Sequence, residues 1–334
     1  MGEAVGVGLD GAVKVGVLGV GVMGSNHARV LSDMAGVHLV GVADPDRKQR
    51  EFVARTLGCA AFDDIDGLLG HGVDAIIIAA PTHLHHDLAL ECISRGVHLL
   101  VEKPIAPTVE EGRAIVAAAR RAGVTLMIGH VERFNPAVQS VKRAIRHEEI
   151  LSIAITRVGP FPPRMSNVGV VIDLAVHDID LIRWFTDSDI VEIQPQLSSA
   201  VAEREDIALL QFRTASGVLA HINTNWLTPF KARTIHIATR DKYLIADLLT
   251  LQVTECFGFQ ADGSYSMRHL SVGYAEPLRA ELLAFIEAVR SGRTPAVTGE
   301  EGVASLEIAI RCLDARASQS SARQQHKTPR RVAG

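Results

Sequence analysis

The chain has 334 residues, of which 47% are apolar and 22% charged, with a net charge of −4. That length exceeds what one hydrophobic core usually holds, so two domains are expected in an ordinary globular protein. The acidic balance excludes a general attraction to nucleic acid or anionic membrane. No apolar run approaches the roughly twenty residues that span a bilayer. No basic region precedes an apolar stretch at the N-terminus, so a signal peptide is not expected. Cys59, Cys92, Cys256 and Cys312 lack metal-type spacing and read as buried small residues in a reducing, cytoplasmic compartment.

The pattern Gly6-Val7-Gly8-Leu9-Asp10-Gly11 has no strand before it and no helix after it, so residues 1–12 read as a disordered leader. The same glycine spacing then recurs in a different context. The apolar strand Val13–Leu18 runs into Gly19-Val20-Gly21-Val22-Met23-Gly24, and Asp44 follows twenty positions after the last glycine. Gly19 permits the tight turn, Gly21 lets the backbone approach a pyrophosphate, and Gly24 lets the next helix pack close to the strand. The helix N-terminus, with Val22 and Met23, offers N–H groups to the phosphates. Asp44, ending the run Val37–Ala43, can accept hydrogen bonds from a ribose and would repel a 2′-phosphate, so the expected cofactor is NAD.

Strands Ala75–Ala79, His98–Val101 and Thr125–Ile128 follow, with helices Asp46–Leu57 and Thr108–Ala122 between the apolar runs. This alternation predicts an α/β Rossmann domain, a doubly wound parallel sheet over residues 13–128. Beyond Gly129 the runs Ile150–Val158, Ile190–Ser199, Asp206–Arg213, Val218–Trp226 and Arg233–Thr239 succeed one another with short turns. They predict an α+β domain over residues 129–317 with a largely antiparallel open sheet. Helices at Pro136–His147, Val170–Phe185, Pro277–Ser291 and Glu300–Ala317 would cover one face of it. Residues 318–334, polar and basic without apolar period, read as a disordered tail.

Three segments carry the chemistry. Glu102-Lys103-Pro104 ends the strand His98–Val101, and ligands of open parallel sheets lie outside the carboxyl ends of the strands. Pro104 restricts the backbone of Lys103, which is either aimed at the cofactor crevice or a surface lysine. Pro81, Thr82, His83 and His86 follow the strand Ala75–Ala79 and read as cofactor and substrate loop. In a helix, Asp173, His177 and Asp180 fall at i, i+4 and i+7, a polar stripe that either faces solvent or lines a site. A metal site is not expected, because neither histidine cluster offers two histidines at i, i+4 with a further ligand at ordinary spacing.

The Gly19–Gly24 fingerprint, Glu102-Lys103-Pro104 and Asp173-x-x-x-His177, in that order, resemble the glucose-fructose oxidoreductase/inositol dehydrogenase/MocA family from about Val13 to Ala317. The resemblance implies hydride transfer at a sugar carbon served by Lys103, Asp173 and His177. It also implies a homodimer or homotetramer joined through the open face of the second sheet. Gly129-His130-Val131-Glu132-Arg133-Phe134-Asn135-Pro136 and the proline-rich Gly159–Arg164 are similar to segments of family members that oxidise UDP-linked N-acetylhexosamines. A UDP-sugar needs cations for its diphosphate, and Arg133, Arg164, Lys231 and Arg233 are the candidates, with Asn135 beside them.

The expected mechanism places the nicotinamide near Pro81, Thr82 and Lys103 and the sugar against the Asp173 helix. His177 takes the hydroxyl proton, Lys103 stabilises the alkoxide and Asp173 orients one of them. Which of Lys103 and His177 is the formal base stays open. A cyclitol, a free aldose or UDP-N-acetylglucosaminuronate is an alternative substrate. A non-catalytic NAD-binding sensor is the other alternative, against which the proton-transfer set argues.

Overall fold

The computed structural model describes residues 11–161 and 168–325. The chain forms two compact units, one holding the chain to Asn135 together with Tyr274–Leu306, the other Pro136–Gly273 with the chain from Glu307. The expected boundary at residues 128/129 is therefore displaced, and the second unit is not contiguous. Most of the leader and the last nine residues, 326–334, lie outside the described residues.

The first unit alternates β1 (Val13–Leu18), α1 (Val22–Ser32), β2 (Val37–Ala43), α2 (Arg47–Leu57), β3 (Ala60–Phe62), α3 (Ile65–Leu69), β4 (Ala75–Ile78), α4 (His85–Ser94), β5 (His98–Glu102), α5 (Val109–Ala122) and β6 (Leu126–Gly129). All strand pairs are parallel, in the order β3-β2-β1-β4-β5-β6. Ile76, Ile77, Ile78, Leu99 and Leu100 are fully buried, as strands covered on both faces require. Local chemistry sets the helix ends: Asp46 accepts the N–H groups of Lys48 and Gln49, Thr108 and Glu111 form a capping box, and Gly58 and Gly123 end α2 and α5 in the left-handed region. The strand β3 escapes sequence reading because three residues carry no period.

The second unit begins with α6 (Pro136–Ala144) and β7 (Ile150–Pro160). A single π-helical turn (Val171–Ala175) then leads into α7 (Val176–Thr186). The strands β8 (Ile190–Ser198), β9 (Ile207–Thr214), β10 (Leu219–Asn225), β11 (Leu227–Thr239), β12 (Lys242–Asp247), β13 (Gln252–Phe257) and β14 (Ser266–Leu270) complete the sheet. Its order is β14-β13-β12-β11-β7-β10-β9-β8, antiparallel except for the parallel pair β7 and β10. Ile153, Ile155, Ile222, Ile235 and Ile237 form one core with Val171, Ile179, Ile182 and Phe185. The last three strands were not foreseen; β14 is nearly all exposed and so has no alternation to read.

α8 (Pro277–Ser291) and α9 (Gly299–Gln325) follow. α8 does not cover the second sheet as expected. It belongs to the first unit, where Arg279 bonds Asp33, Arg290 bonds the Gly36 carbonyl and Met127 bridges to Thr298. α9 runs past Ala317, against the expectation of a disordered tail from Ser318. Residues 318–325 contain neither Gly nor Pro, and adding residues to an established helix is far easier than starting one. α6 stops before His147, since the chain turns at Arg146 and Glu148 by shorter-range bonds to Arg143 and Ile145. Cys92, Cys256 and Cys312 are buried as expected, whereas Cys59 is half-buried, and burial pushes the Cys92 and Cys312 thiols up to about 12.

Arg157 on β7 and Asp178 on α7 form a buried pair, Arg157 3% and Asp178 0% exposed, with Nε and Nη2 donating to the carboxylate at 2.8–3.0 Å. Removing one partner of such a pair leaves an uncompensated buried charge, which costs about 3–5 kcal/mol. Asp178→Ala is expected to lose that much stability in urea unfolding. The double variant Arg157→Met/Asp178→Leu should recover most of it, and a single variant losing under about 1 kcal/mol would show that the pair is not what anchors α7.

Candidate active site

The strand β1 leaves the sheet at Gly19, whose φ of +82° only glycine adopts without strain and whose added Cβ would lie 2.7 Å from the Ala80 backbone. A Cβ at Gly24 would lie 1.8 Å from the Gly19 carbonyl oxygen, so α1 can approach β1 this closely only without a side chain there. Gly21 is different: nothing lies within 4 Å of its Cβ position. It is also the N-cap of α1 and supplies no side-chain cap, leaving the first N–H groups available to a phosphate. Val22 and Met23 on that first turn are exposed. Asp44, at the end of β2, accepts from Val20 N–H and Asp46 N–H, one to each oxygen, both at 2.8 Å. Each oxygen keeps further acceptor capacity for a ribose hydroxyl. These features fit a dinucleotide: a cradle open at Gly21 and, at the end of β2, a carboxylate fixed by two backbone N–H groups with acceptor capacity to spare.

Pro81 and Thr82 open a short turn, Thr82–Leu84, after β4. His83 is exposed, and His86 bonds the neighbouring Asp87 at 2.8 Å. The buried member of this cluster is His85, which sequence reasoning passed over. Its Nε2 faces the Ala80 carbonyl at 2.8 Å and its Nδ1 the Pro104 carbonyl at 3.0 Å, so the ring joins the loops after β4 and β5. Burial pushes its proton affinity below that of an ordinary histidine, against the pull of these carbonyls.

Glu102 closes β5 with its carboxylate buried. Its Oε1 bonds His27 Nε2 at 2.7 Å and its Oε2 accepts the Lys103 N–H at 3.1 Å. Burial opposes the charge, but the His27 bond and the Lys103 ammonium hold its carboxyl below the usual range. Lys103 is half-buried, at a cis peptide bond to Pro104. Arg133 corrects an expectation. It is 3% exposed, and its guanidinium is committed to Glu301 at 2.7 Å and to the Ala296 carbonyl, a structural role rather than a diphosphate contact. Asn135 is buried, in extended backbone just before α6.

In the second unit Asp173 sits within the π-helical turn, half-buried, and His177 stands in the first turn of α7, 9% exposed. A π turn is uncommon and recurs at functional sites. It also changes the expected stripe, because the turn widens between Asp173 and His177 while Asp178 and Asp180 are both fully buried. Glu205 fixes the start of this segment by accepting the Val171 N–H at 3.3 Å. Its carboxylate fills the space where a Gly169 Cβ would sit, 1.9 Å away, so Gly169 is required there. Next to it, Asp206 accepts the N–H groups of Ala200, Val201 and Ala202; burial opposes its charge, but these bonds hold its carboxyl below the usual range. The sequence signal for Arg157 and Asp178 was a charge inside an apolar run, whereas Glu205 is hidden in the charged run Glu203-Arg204-Glu205-Asp206. Lys231 is exposed and Arg233 half-buried on β11, while Arg164 lies outside the described residues.

Comparison with known proteins identifies the family of both units. Residues 13–130 match the oxidoreductase family with an NAD-binding Rossmann fold, and residues 149–244 the GFO/IDH/MocA C-terminal domain. The UDP-N-acetylglucosamine 3-dehydrogenase of Acidithiobacillus ferrooxidans is 30% identical over 302 residues, covering 89% of this chain and 95% of that one. A solved structure of that enzyme superposes with a TM-score of 0.84 at 29% identity over the same shares of the two chains. The scyllo-inositol 2-dehydrogenase (NAD(+)) of Bacillus subtilis is also 30% identical, over 322 residues, covering 90% of this chain and 93% of that one. The chain thus belongs to the Gfo/Idh/MocA family of NAD-binding oxidoreductases.

Proposed function

We propose that the protein oxidises the C3 hydroxyl of UDP-N-acetylglucosamine to the 3-keto sugar, a product from which the 3-amino sugar of some lipid A molecules can be made. The observation that carries this reading is the likeness in sequence and structure to an enzyme of that name along 95% of its length. A second reading, a cyclitol dehydrogenase, is favoured by the B. subtilis relative at the same identity. Oxidation rates with UDP-N-acetylglucosamine, free N-acetylglucosamine and inositols separate the two. UDP-N-acetylglucosamine is expected to be the best substrate and the free sugar poor; efficient oxidation of an inositol instead would select the second reading. Arg164, from the proline-rich segment, with Lys231 and Arg233, supplies cations for the diphosphate.

NAD, when bound, accepts the hydride. Gly19, Gly21, Val22, Met23 and Gly24 hold its pyrophosphate, Asp44 its adenosine ribose, and Pro81, Thr82, His83, His86 and Glu102 the rest of the cofactor loop. His177 serves as the base for the hydroxyl proton, Lys103 stabilises the developing alkoxide, and Asp173 orients the base. The protein acts in the cytoplasm. Among the described residues no helix is long and apolar enough to cross a membrane. Its open sheet face exposes Leu209, Leu219, Ile245 and Met267, and this face joins copies of the chain into a dimer or tetramer.

Lys103→Ala and His177→Ala should each lower kcat by about 10²-fold, the usual loss for a positioned proton-transfer or charge-stabilising group. The Kd for NAD should stay within a few-fold. Near-normal turnover of His177→Ala would remove that residue from the mechanism.

Asp44 should make NAD preferred over NADP by at least about tenfold in kcat/KM, since charge repulsion and lost hydrogen bonds each exceed about 1.4 kcal/mol. Asp44→Ser should narrow that ratio. A wild-type enzyme using both cofactors equally would contradict the ribose assignment.

A further inference from the structure

Next to Lys103 lies a buried polar cluster, two of whose members, His27 and Glu281, have no part in the proposed reaction. His27 comes from α1, Glu102 from the end of β5 and Glu281 from α8, exposed by 0%, 7% and 0%. One ligand-type atom of each lies within 4.8 Å of the other two. Neither oxygen of Glu281 has a hydrogen-bond partner, and neither does His27 Nδ1.

We propose that Glu281 retains a proton inside this cluster, which leaves the single buried negative charge on Glu102, and that His27 is the positioning residue that holds Glu102 and through it Lys103. The inference rests on the reading that Lys103 serves the reaction. Two buried carboxylates this close cannot both stay charged. Glu102 is the ionised one, because its oxygens take the His27 ring at 2.7 Å and the Lys103 N–H at 3.1 Å. Glu281, with no such donors, keeps the proton, and burial together with the Glu102 charge pushes its carboxyl well above the usual range. A Cβ on Gly129 would lie 3.1 Å from the Glu102 carboxyl carbon, so that carboxylate is confined on the β6 side. The titratable groups of the cluster besides Glu281 are Glu102 and the His27 ring, with Lys103 beyond Glu102. The turn Val131–Phe134, also packed on α8, carries Glu132 and Arg133, the latter paired with Glu301.

A divalent cation is the competing occupant of two carboxylates and an imidazole. The geometry favours the proton, since His27 Nε2 and Glu102 Oε1 point at each other and the second Glu102 oxygen is on a backbone N–H.

A group that binds its proton more tightly when folded makes the native state lose stability as pH rises from the unfolded carboxyl value, near 4.3, toward the folded one. Glu281→Gln keeps the shape and cannot ionise, so its Tm should rise relative to wild type as pH goes from 5 to 8, with kcat within about threefold. Glu281→Met, which also cannot ionise, should show the same relative rise in Tm. His27→Ala should lower kcat by about tenfold or more with the NAD Kd unchanged, and His27→Gln, which keeps a donor, should restore most of it. Independently of turnover, His27→Ala should alter the rate at which an amine reagent labels Lys103, read by mass spectrometry against the other lysines.

Tm profiles of both Glu281 variants parallel to wild type would overturn the retained proton. So would a stoichiometric divalent metal in the purified protein whose chelation lowers Tm. Unchanged kcat and Lys103 labelling in His27→Ala, where Lys103→Ala is inactive, would overturn the positioning role. Full turnover in Lys103→Ala would instead remove the reading of the reaction and leave the Tm result standing.

Discussion

A carboxylate at the end of a buried parallel strand must be held by donors or give up its charge, and Glu102 is held on both oxygens. That requirement organises the first unit. The helix after the glycine turn must place His27 under β5, so the turn must bring α1 close, and Gly24 makes the approach possible. α8 returns from the far side of the second unit in sequence to close the same region with Glu281. The Lys103 backbone donates to the carboxylate, and the next carbonyl, Pro104, is faced by His85, whose other nitrogen faces Ala80. The loops at the carboxyl ends of β4 and β5 are thereby tied to each other and to the strand beneath. A lysine on a free loop would lose entropy each time it was brought to a reacting atom; this one begins with its backbone fixed.

The second unit solves a related problem with different parts. The segment bearing Asp173 and His177 starts at Gly169, where no side chain fits because the Glu205 carboxylate occupies that space. A carboxylate at a helix start meets unpaired N–H groups and the positive end of the helix dipole, so its burial is compensated. The π turn follows at once, and Arg157 then grips Asp178, the residue after His177. The histidine is thus bracketed by two anchored carboxylates, one before the turn and one beside it. Such bracketing defines the backbone on either side of the His177 ring, which suits the proton-transfer role proposed for it.

Much of the first unit was legible because each element has its own local cause. β1 and β2 match their apolar runs residue for residue, and the helix starts at Asp46 and Thr108 follow from capping. The glycine fingerprint was legible for the same reason, since each glycine answers a backbone requirement. What could not be read were partners distant in sequence. His27 and Glu281 are 254 positions apart, and each alone is an unremarkable polar residue on an amphipathic helix. His83 and His86 drew notice as part of a cluster, but the packed member is His85, and nothing local tells which of four neighbouring positions faces inward. Arg133 misled for the opposite reason: its loop suggested an accessible cation, and Glu301, far along the chain, claims it.

The commitments of these cations bear on substrate choice. A sugar-nucleotide enzyme and a cyclitol enzyme are equally similar to this chain along most of its length, so overall likeness does not separate the two chemistries. They differ in a diphosphate, which demands positive charge that a cyclitol does not. Arg133 and Arg157, both buried, spend their guanidinium groups on Glu301 and Asp178, and turning Arg157 to a phosphate would strand the fully buried Asp178. A diphosphate site must therefore draw on cations outside the packed cores, such as Lys231 and Arg233 on β11 and Arg164 in the proline-rich segment. On the proposed reading, substrate selection separates from reaction chemistry: Lys103 and His177 stand on backbone next to the anchored carboxylates Glu102 and Asp178, while Lys231 and Arg233 are exposed and half-buried on β11.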